Sequence, residues 1–523
     1  MPDQPAVDER LKGMLSGPAA RVLDSWAVHH QMAVRLASDG MMTGGTTDAR
    51  VFVVYVRPVK GGGTKCILKY CPPGTGAALR SEPRAHEQAL AAHPGFAAEH
   101  LVTQPFPPVA LEDGGCLMFQ GLAGGSLTDY QGMAAMVLDR RVAPAARAVV
   151  SAVLSDWNPS STYDLAFRTE SATVSAALGS RLVPRHGLAD WLADHPELDA
   201  KQRWLELPGV AEPMPNPFAL AAGAFDGPEV ADFLGNAHGD LHVGNILFPQ
   251  QPEQHGYAKF RLIDLSMFRT DASLARDPVH LLLSLVALYL PRLDDDARTA
   301  VRGLLLGRPG GDRGLVPMAL SEAHEAILEA GLAWVAAGDS GLSDEWRQQI
   351  RLATVVGGLL FVGRRNHEAR ARWWFFELAA EAALDYLRAA GRATADSIAK
   401  VPVPSMPGTP GTADQPAGPS AARAQPAPLT PAQLRQLVDL LFDQHAMSAT
   451  WRQLVGWLPA DLTTGYEQHS VLAVDALNLF RYFGTVDPSP WPLFIETVEA
   501  VFPNSRAVAR FKAELVRLGL LPG

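Results

Sequence analysis

Between residues 50 and 70 the chain reads RVFVVYVRPVKGGGTKCILKY, two apolar runs of strand length rich in β-formers. A loop containing Gly61-Gly62-Gly63 joins the runs, so the stretch predicts two strands joined as a hairpin. A helical pattern follows over 77–93, and two more strand-like runs bracket Asp113-Gly114-Gly115. Over 126–235, and again over 272–395, apolar residues recur mostly at helical spacing. The longest apolar run, VHLLLSLVALYLP at 279–291, is too short to cross a bilayer and predicts a buried helix. No repeat of fixed period is present. The pattern predicts an α+β chain with a small β-rich front and a large α-rich back.

The apolar pattern stops at 402–431, which holds nine prolines and three glycines and almost no large apolar residues. Such a stretch cannot bury enough surface to offset its ordering entropy, so a mobile tether is predicted. The resulting layout is a helical extension over 1–34, a large domain over 35–398, a linker over 399–428 and a helical bundle over 429–523. The bundle opens on Thr430-Pro431 with Gln433 as capping partner, and Leu434, Leu437, Val438 and Leu441 follow at helical spacing. Further helices are predicted near 448–458, 468–482, 490–502 and 505–519. The bundle carries no catalytic cluster. Trp451, Trp457 and Trp491 are its candidates for an exposed binding face, with core placement expected for at least two of them.

Composition adds little beyond exclusions. With 47% hydrophobic and 19% charged residues among 523, this is a globular chain with a sizeable core. A net charge of −10 argues against nucleic acid or an anionic membrane as main partner. It would suit a cationic substrate. The three cysteines, Cys66, Cys71 and Cys116, form no C-x-x-C pair, so neither a zinc site nor a disulfide framework is indicated. The first residues, MPDQPAVDERLKGML, lack the apolar core of a signal peptide, and a cytoplasmic location is expected.

The chemistry concentrates in NAHGDLHVGNILFPQ, residues 236–250. His238, Asp240 and His242 alternate in a pattern that zinc ligands also show, but Asn245 and the downstream FRLIDLSMF (260–268) fit a different reading. The segment between Asn245 and Asp264 reads as strand, polar loop, strand. A hairpin there sets an amide oxygen beside a carboxylate, two hard ligands suited to Mg²⁺ carrying nucleotide phosphates. Asp240 is then placed to accept a proton from an incoming hydroxyl. Gly44-Gly45, ahead of the first strand, lets backbone N–H groups approach phosphate oxygens. Lys69 lies in the next strand, and a lysine facing a cleft needs a partner. Glu87 is the expected one, with Glu82 as the alternative. Asp277 is expected to cap the helix starting at Pro278. The aromatic stretch ARWWFFELAAEAALDYL (371–387) is expected in the core rather than in an acceptor pocket.

These residues resemble the protein-kinase-like fold in its aminoglycoside phosphotransferase and choline kinase branch. The His-Gly-Asp-x-His-x-x-Asn loop and the Ile-Asp-x-Ser strand end are the most specific marks. The resemblance implies a bilobal architecture, with an N-lobe over 35–118 and a C-lobe over 119–398. It implies ATP and Mg²⁺, with Asp240 as catalytic base, Asn245 and Asp264 as metal ligands, and Lys69 and Glu87 as the phosphate-positioning pair. MFQGLAGGSL (118–127) would be the hinge, with Met118, Gln120 and Leu122 touching adenine. The implied activity is phosphoryl transfer to a hydroxyl of a small-molecule or protein acceptor. The alternative is an inactive nucleotide-binding scaffold that recruits partners through its tail. Departures from protein kinases also inform: His242 stands where those enzymes carry a lysine, and Leu265-Ser266 follows Asp264. Only twelve residues lie between Asp264 and Asp277, too few for an activation segment, so a peptide platform is not expected. The tether and the tail, with its DALNLFRYFGTVDPSPWPLFIETVEAVF, resemble signalling proteins of bacterial conflict systems. There, effector-associated or death-like helical domains bind other small helical domains.

Overall fold

The computed structural model describes residues 6–42, 49–73, 77–137, 139–159, 163–182, 186–199, 201–207, 210, 212–308, 313–393, 491, 494–495, 506–518 and 521. The predicted hairpin forms as β3 (Arg50–Pro58) and β4 (Thr64–Cys71), with Val53 opposite Ile67 and Val51 opposite Lys69. Around it lie β1 (Ala6–Val7), β2 (Met32–Met42), β5 (Val109–Ala110) and β6 (Cys116–Gly121). Together they make one curled six-stranded sheet in the order β1-β2-β3-β4-β6-β5. Only the β1–β2 pair is parallel.

The expected extension over 1–34 is built into this layer. Ser16 caps α2 (Gly17–His29), and Asp8 caps the short helix α1 (Glu9–Met14). Their apolar faces, Leu11, Leu15, Leu23 and Trp26, are buried with Val34, Phe52, Leu68 and Phe119. Trp26 stacks on Phe119 with ring centroids 4.7 Å apart. Helix α3 (Ala77–Ala92) occupies the span predicted for it and is followed by α4 (Pro94–His100).

The region beyond residue 121 is less helical than the periodicity suggests. β7 (Tyr130–Gly132) pairs with β12 (Ile246–Pro249), which pairs with β13 (Arg261–Leu262). β11 (Val230–Ala237) lies between β8 (Asp164–Arg168) and β14 (Arg269–Ser273). β8 and β11 were not legible as strands because β8 is short and β11 is buried at almost every position, which removes the alternation. The rest is helical: α5 (Val142–Ser151), α10 (Arg276–Tyr289), α12 (Met318–Asp339), α13 (Ser343–Val362) and α14 (Ala369–Ala389) are the main elements. They share one core with Trp157, Trp346, Phe361 and Phe375, and Trp374 and Phe376 of the aromatic stretch are buried in it as expected.

The larger compact unit holds Met1–Arg364 and Ala369–Thr409, and the smaller holds Arg365–Glu368 and Pro410–Gly523, so the main division falls in the proline-rich stretch. That stretch, Trp451, Trp457 and most of the predicted bundle lie outside the described residues. Within the smaller unit Trp491, Phe494, Phe511 and Leu515 are buried, with the three rings 6.1–6.4 Å apart. Trp491 is therefore a core residue and not part of an exposed face. Among the described residues, no helix is long and apolar enough to cross a membrane.

Candidate active site

The hairpin predicted between Asn245 and Asp264 is present. Ile246 lies opposite Leu262, and the Ile263 N–H donates to the Asn245 carbonyl at 3.0 Å. Asp264 follows directly, and its φ of 57° is the left-handed conformation that a non-glycine residue adopts only where its surroundings enforce it. The Asn245 side chain is fixed by its nitrogen, which donates to the Asp240 carbonyl at 3.0 Å. That leaves the amide oxygen as the ligand end.

Lys69 enters from β4, buried at 8% exposure. Its Nζ lies 2.5 Å from Glu82 and 3.9 Å from Asp264. Burial alone would push the lysine pKa down, but the Glu82 and Asp264 carboxylates outweigh it and hold the ammonium charged. The pairing expected with Glu87 is thus corrected to Glu82. Glu82, Ala85, His86 and Ala89 form the buried face of α3, at spacings of three and four, whereas Glu87 lies off that face and is exposed. His86 keeps this face in place through Nε2, 2.9 Å from the Val102 carbonyl, and burial lowers its pKa to about 4.

The 238–245 loop is held by α10. The Asp277 carboxylate accepts the His238 and Gly239 N–H groups at 2.6 and 2.9 Å. Asp277 therefore braces the loop and does not cap its own helix, whose N-cap Ala275 lacks a side-chain bond. His280 Nε2 lies 3.2 Å from Asp240 Oδ1, and Ser284 Oγ accepts the Val243 N–H at 3.2 Å. Residues 277, 280 and 284 share one face of α10. After Arg276, a three-residue polar stripe in an otherwise apolar helix is the sequence signal for this. Gly239 must be glycine on two grounds: its φ is +78°, and a Cβ would meet the Met267 carbonyl oxygen at 2.2 Å.

His238 is not a metal ligand. Its Nε2–H donates to the Ile263 carbonyl at 2.9 Å, and its Nδ1 accepts the Asp240 N–H at 3.3 Å, so both nitrogens are used. Among the described residues no group of three or more His, Cys, Asp or Glu is arranged to hold a metal ion. The zinc reading therefore falls. A two-ligand magnesium site is a different matter, because that ion takes its remaining ligands from water and phosphate. The residues fit such an ion: Asp264 Oδ1 is buried without a hydrogen-bond partner, and across the hairpin the Asn245 side chain is held by its nitrogen, which leaves its oxygen available.

Asp240 remains 27% exposed in a cationic setting. Burial would raise its pKa, but His280, His242 and Arg364 hold it well below the usual carboxylate range. Arg364 lies 3.6 Å from Oδ1 and stacks over Phe361 at 4.1 Å. Burial brings His280 down to about 3, so it is neutral. Its Nδ1 is buried without a partner, and its Nε2 lies between Arg364 Nη2, a donor at 2.8 Å, and Asp240 Oδ1 at 3.2 Å. His242 Nδ1 accepts the Gly244 N–H at 3.0 Å, so its Nε2–H faces Asp240 Oδ2 at 3.8 Å. His280 and Arg364 were not foreseen, since they reach Asp240 from α10 and from the segment just after α13, both distant in the chain.

Met118 and Gln120 are buried on β6, with Met118 opposite Lys69, and Gln120 Nε2 is buried without a partner. Leu122 follows the strand, half-buried. Gly44 and Gly45 lie outside the described residues. No known family model matches the chain, and no curated protein sequence matches it.

Proposed function

We propose that the larger unit is an ATP- and Mg²⁺-dependent phosphotransferase with a bilobal kinase-like architecture, acting on a hydroxyl. The observation that carries this reading is one connected set: Lys69 pairs with Glu82 and lies 3.9 Å from Asp264, the strand before Asp264 pairs with the strand after Asn245, and the Asn245 amide donates to the Asp240 carbonyl. A purely structural lysine has no need of two carboxylates, one of them on a strained residue.

In this reading the acceptor hydroxyl approaches Asp240 while Lys69, oriented by Glu82, holds the α- and β-phosphates. The acceptor oxygen forms a bond to Pγ as the bond from Pγ to the β,γ-bridging oxygen breaks. The bond pair leaves with ADP, and the hydroxyl proton passes to Asp240. Mg²⁺, held by Asn245 and Asp264, would neutralise phosphate charge. The neighbouring cations make Asp240 a weak base, so its contribution is chiefly orientation, with proton transfer late in a loose transition state. Asp240→Asn is expected to abolish ADP formation while nucleotide binding stays within about two-fold. Turnover at the wild-type rate in that variant would remove Asp240 from its role.

The smaller unit is proposed to capture another small helical domain, in the manner of effector-associated domains of bacterial defence systems. Deleting 429–523 should abolish partner capture and leave ADP formation unchanged; loss of folding in the larger unit would contradict this.

A further inference from the structure

The acceptor side of Asp240 carries more positive charge than the phosphotransfer chemistry uses. Arg276, the first residue of α10, is 6% exposed, and its Nε and Nη2 are both buried with no hydrogen-bond partner. It stands one turn before His280 on the same helix face, the face that reaches Asp240. Arg181, half-buried on the turn Gly179–Leu182, has Asp240 as the carboxylate that bears on it. Arg364 completes the group, 3.6 Å from Asp240. Asp277, next to Arg276 in sequence, is already spent on two backbone N–H groups. Three guanidinium groups therefore share one available carboxylate, Asp240, and that one is assigned to the acceptor hydroxyl.

The nucleotide side is distinct. Lys69 answers to Glu82 and Asp264, whereas Arg276 answers to Arg181, Asp277 and Asp240. Burial and the like charge of Arg181 lower Arg276 to about 10, so it is still charged at neutral pH. A buried, unpartnered guanidinium destabilises a fold. Its place one turn from His280, which contacts the candidate catalytic carboxylate, indicates that its partner arrives from outside.

We propose that Arg276, Arg181 and Arg364 form an oxyanion subsite, so that the acceptor is a small hydroxylated molecule bearing a carboxylate or phosphate group. This rests on the phosphotransferase reading. It runs against the expectation from net charge, because the local field at the acceptor side, not the −10 of the whole chain, selects the substrate. Bidentate guanidinium contacts suit planar carboxylate and phosphate oxygens alike.

The test uses the full chain. Thermal unfolding is first measured with and without Mg²⁺ and a non-hydrolysable ATP analogue; absence of a shift there would count against the nucleotide reading alone. With the analogue saturating, or with the chain alone if no analogue binds, sodium phosphate or sodium glycolate is titrated at constant ionic strength against sodium chloride. A saturable rise in Tm of about 2 °C at ten times Kd is expected for at least one anion. Which one responds separates phosphate-bearing from carboxylate-bearing acceptors. Arg276→Met should keep or raise the ligand-free Tm, because it removes an uncompensated buried charge, and should weaken the anion response at least ten-fold. Arg181→Gln, at a half-buried position, should weaken it too and carries the test should Arg276→Met not fold. The proposal is overturned if neither anion acts, if the analogue abolishes the response, or if the folded variants respond as wild type does.

Discussion

Asp277→Asn isolates the brace under the catalytic loop. In the wild type, each carboxylate oxygen accepts one buried backbone N–H, at 2.6 and 2.9 Å. An asparagine oxygen can accept one of them, and its amide nitrogen then faces the other donor. The substitution forfeits one charge-assisted bond, about 1.5–3 kcal/mol, and strands a buried N–H, about 1–3 kcal/mol. Against this, burial disfavours the Asp277 charge and pushes its pKa up, so its removal returns part of the loss. A net destabilisation of about 2–4 kcal/mol follows. The larger unit has about 400 residues. At about 2.1 cal/mol/K per residue its unfolding entropy is about 0.8 kcal/mol/K, giving a Tm fall of about 3–5 °C. Activity should fall further, because the stranded N–H displaces Gly239 and with it Asp240; a shift of about 1 Å costs about 10²-fold in rate. Scanning calorimetry and acceptor-free hydrolysis of Mg·ATP to ADP, assayed well below Tm, read the two effects separately. An Asn variant with wild-type Tm and turnover would refute the brace.

Three further outcomes follow from the same contacts. Glu82→Gln breaks a buried ion pair and should cost about 3–5 kcal/mol, with weaker Mg·ATP binding, while exposed Glu87→Gln should stay within about 0.5 kcal/mol; calorimetric unfolding of both ranks the partners. Gly239→Ala combines a left-handed φ with a Cβ 2.2 Å from the Met267 oxygen, so it should lower Tm by several degrees and abolish ADP formation, and a tolerated alanine would show that the two loops do not pack as described. His324 is buried without a partner on either ring nitrogen, and burial lowers its pKa to about 4. A base depressed on folding leaves stability intact above the unfolded value of about 6.5 and withdraws it as pH falls towards the folded value, which for His324 is about 1.4 kcal/mol at pH 5.5. The Tm of His324→Leu relative to wild type should therefore rise by about 2 °C between pH 7.5 and 5.5, and a constant difference would contradict the buried neutral ring.

The parts of this site that depend on local order were legible. The spacing of Asp240, Asn245 and Asp264 encodes a loop and a hairpin, and the β-rich run before Lys69 encodes a strand whose sixth residue meets Glu82 and Asp264. The lysine's partner was misassigned because the choice between Glu82 and Glu87 turns on which face of α3 is buried. That face is marked by small Ala85 and Ala89 and by His86, not by large apolar residues. Asp277, His280 and Ser284 required knowing that α10 runs beneath the loop. The convergence of Arg181, Arg276 and Arg364, from positions far apart in the chain, has no local signature at all. β8 and β11 were hidden by shortness and by burial on both faces.

The most direct test of the central claim, that Asn245 and Asp264 hold magnesium beside Lys69, is titration calorimetry of ATP into the full chain with and without Mg²⁺, for wild type and Asp264→Asn. The wild type should bind ATP at least ten-fold more tightly with magnesium present, and Asp264→Asn should lose that enhancement while keeping its fold. Binding that ignores magnesium in the wild type, or an enhancement that survives in Asp264→Asn, would contradict the account.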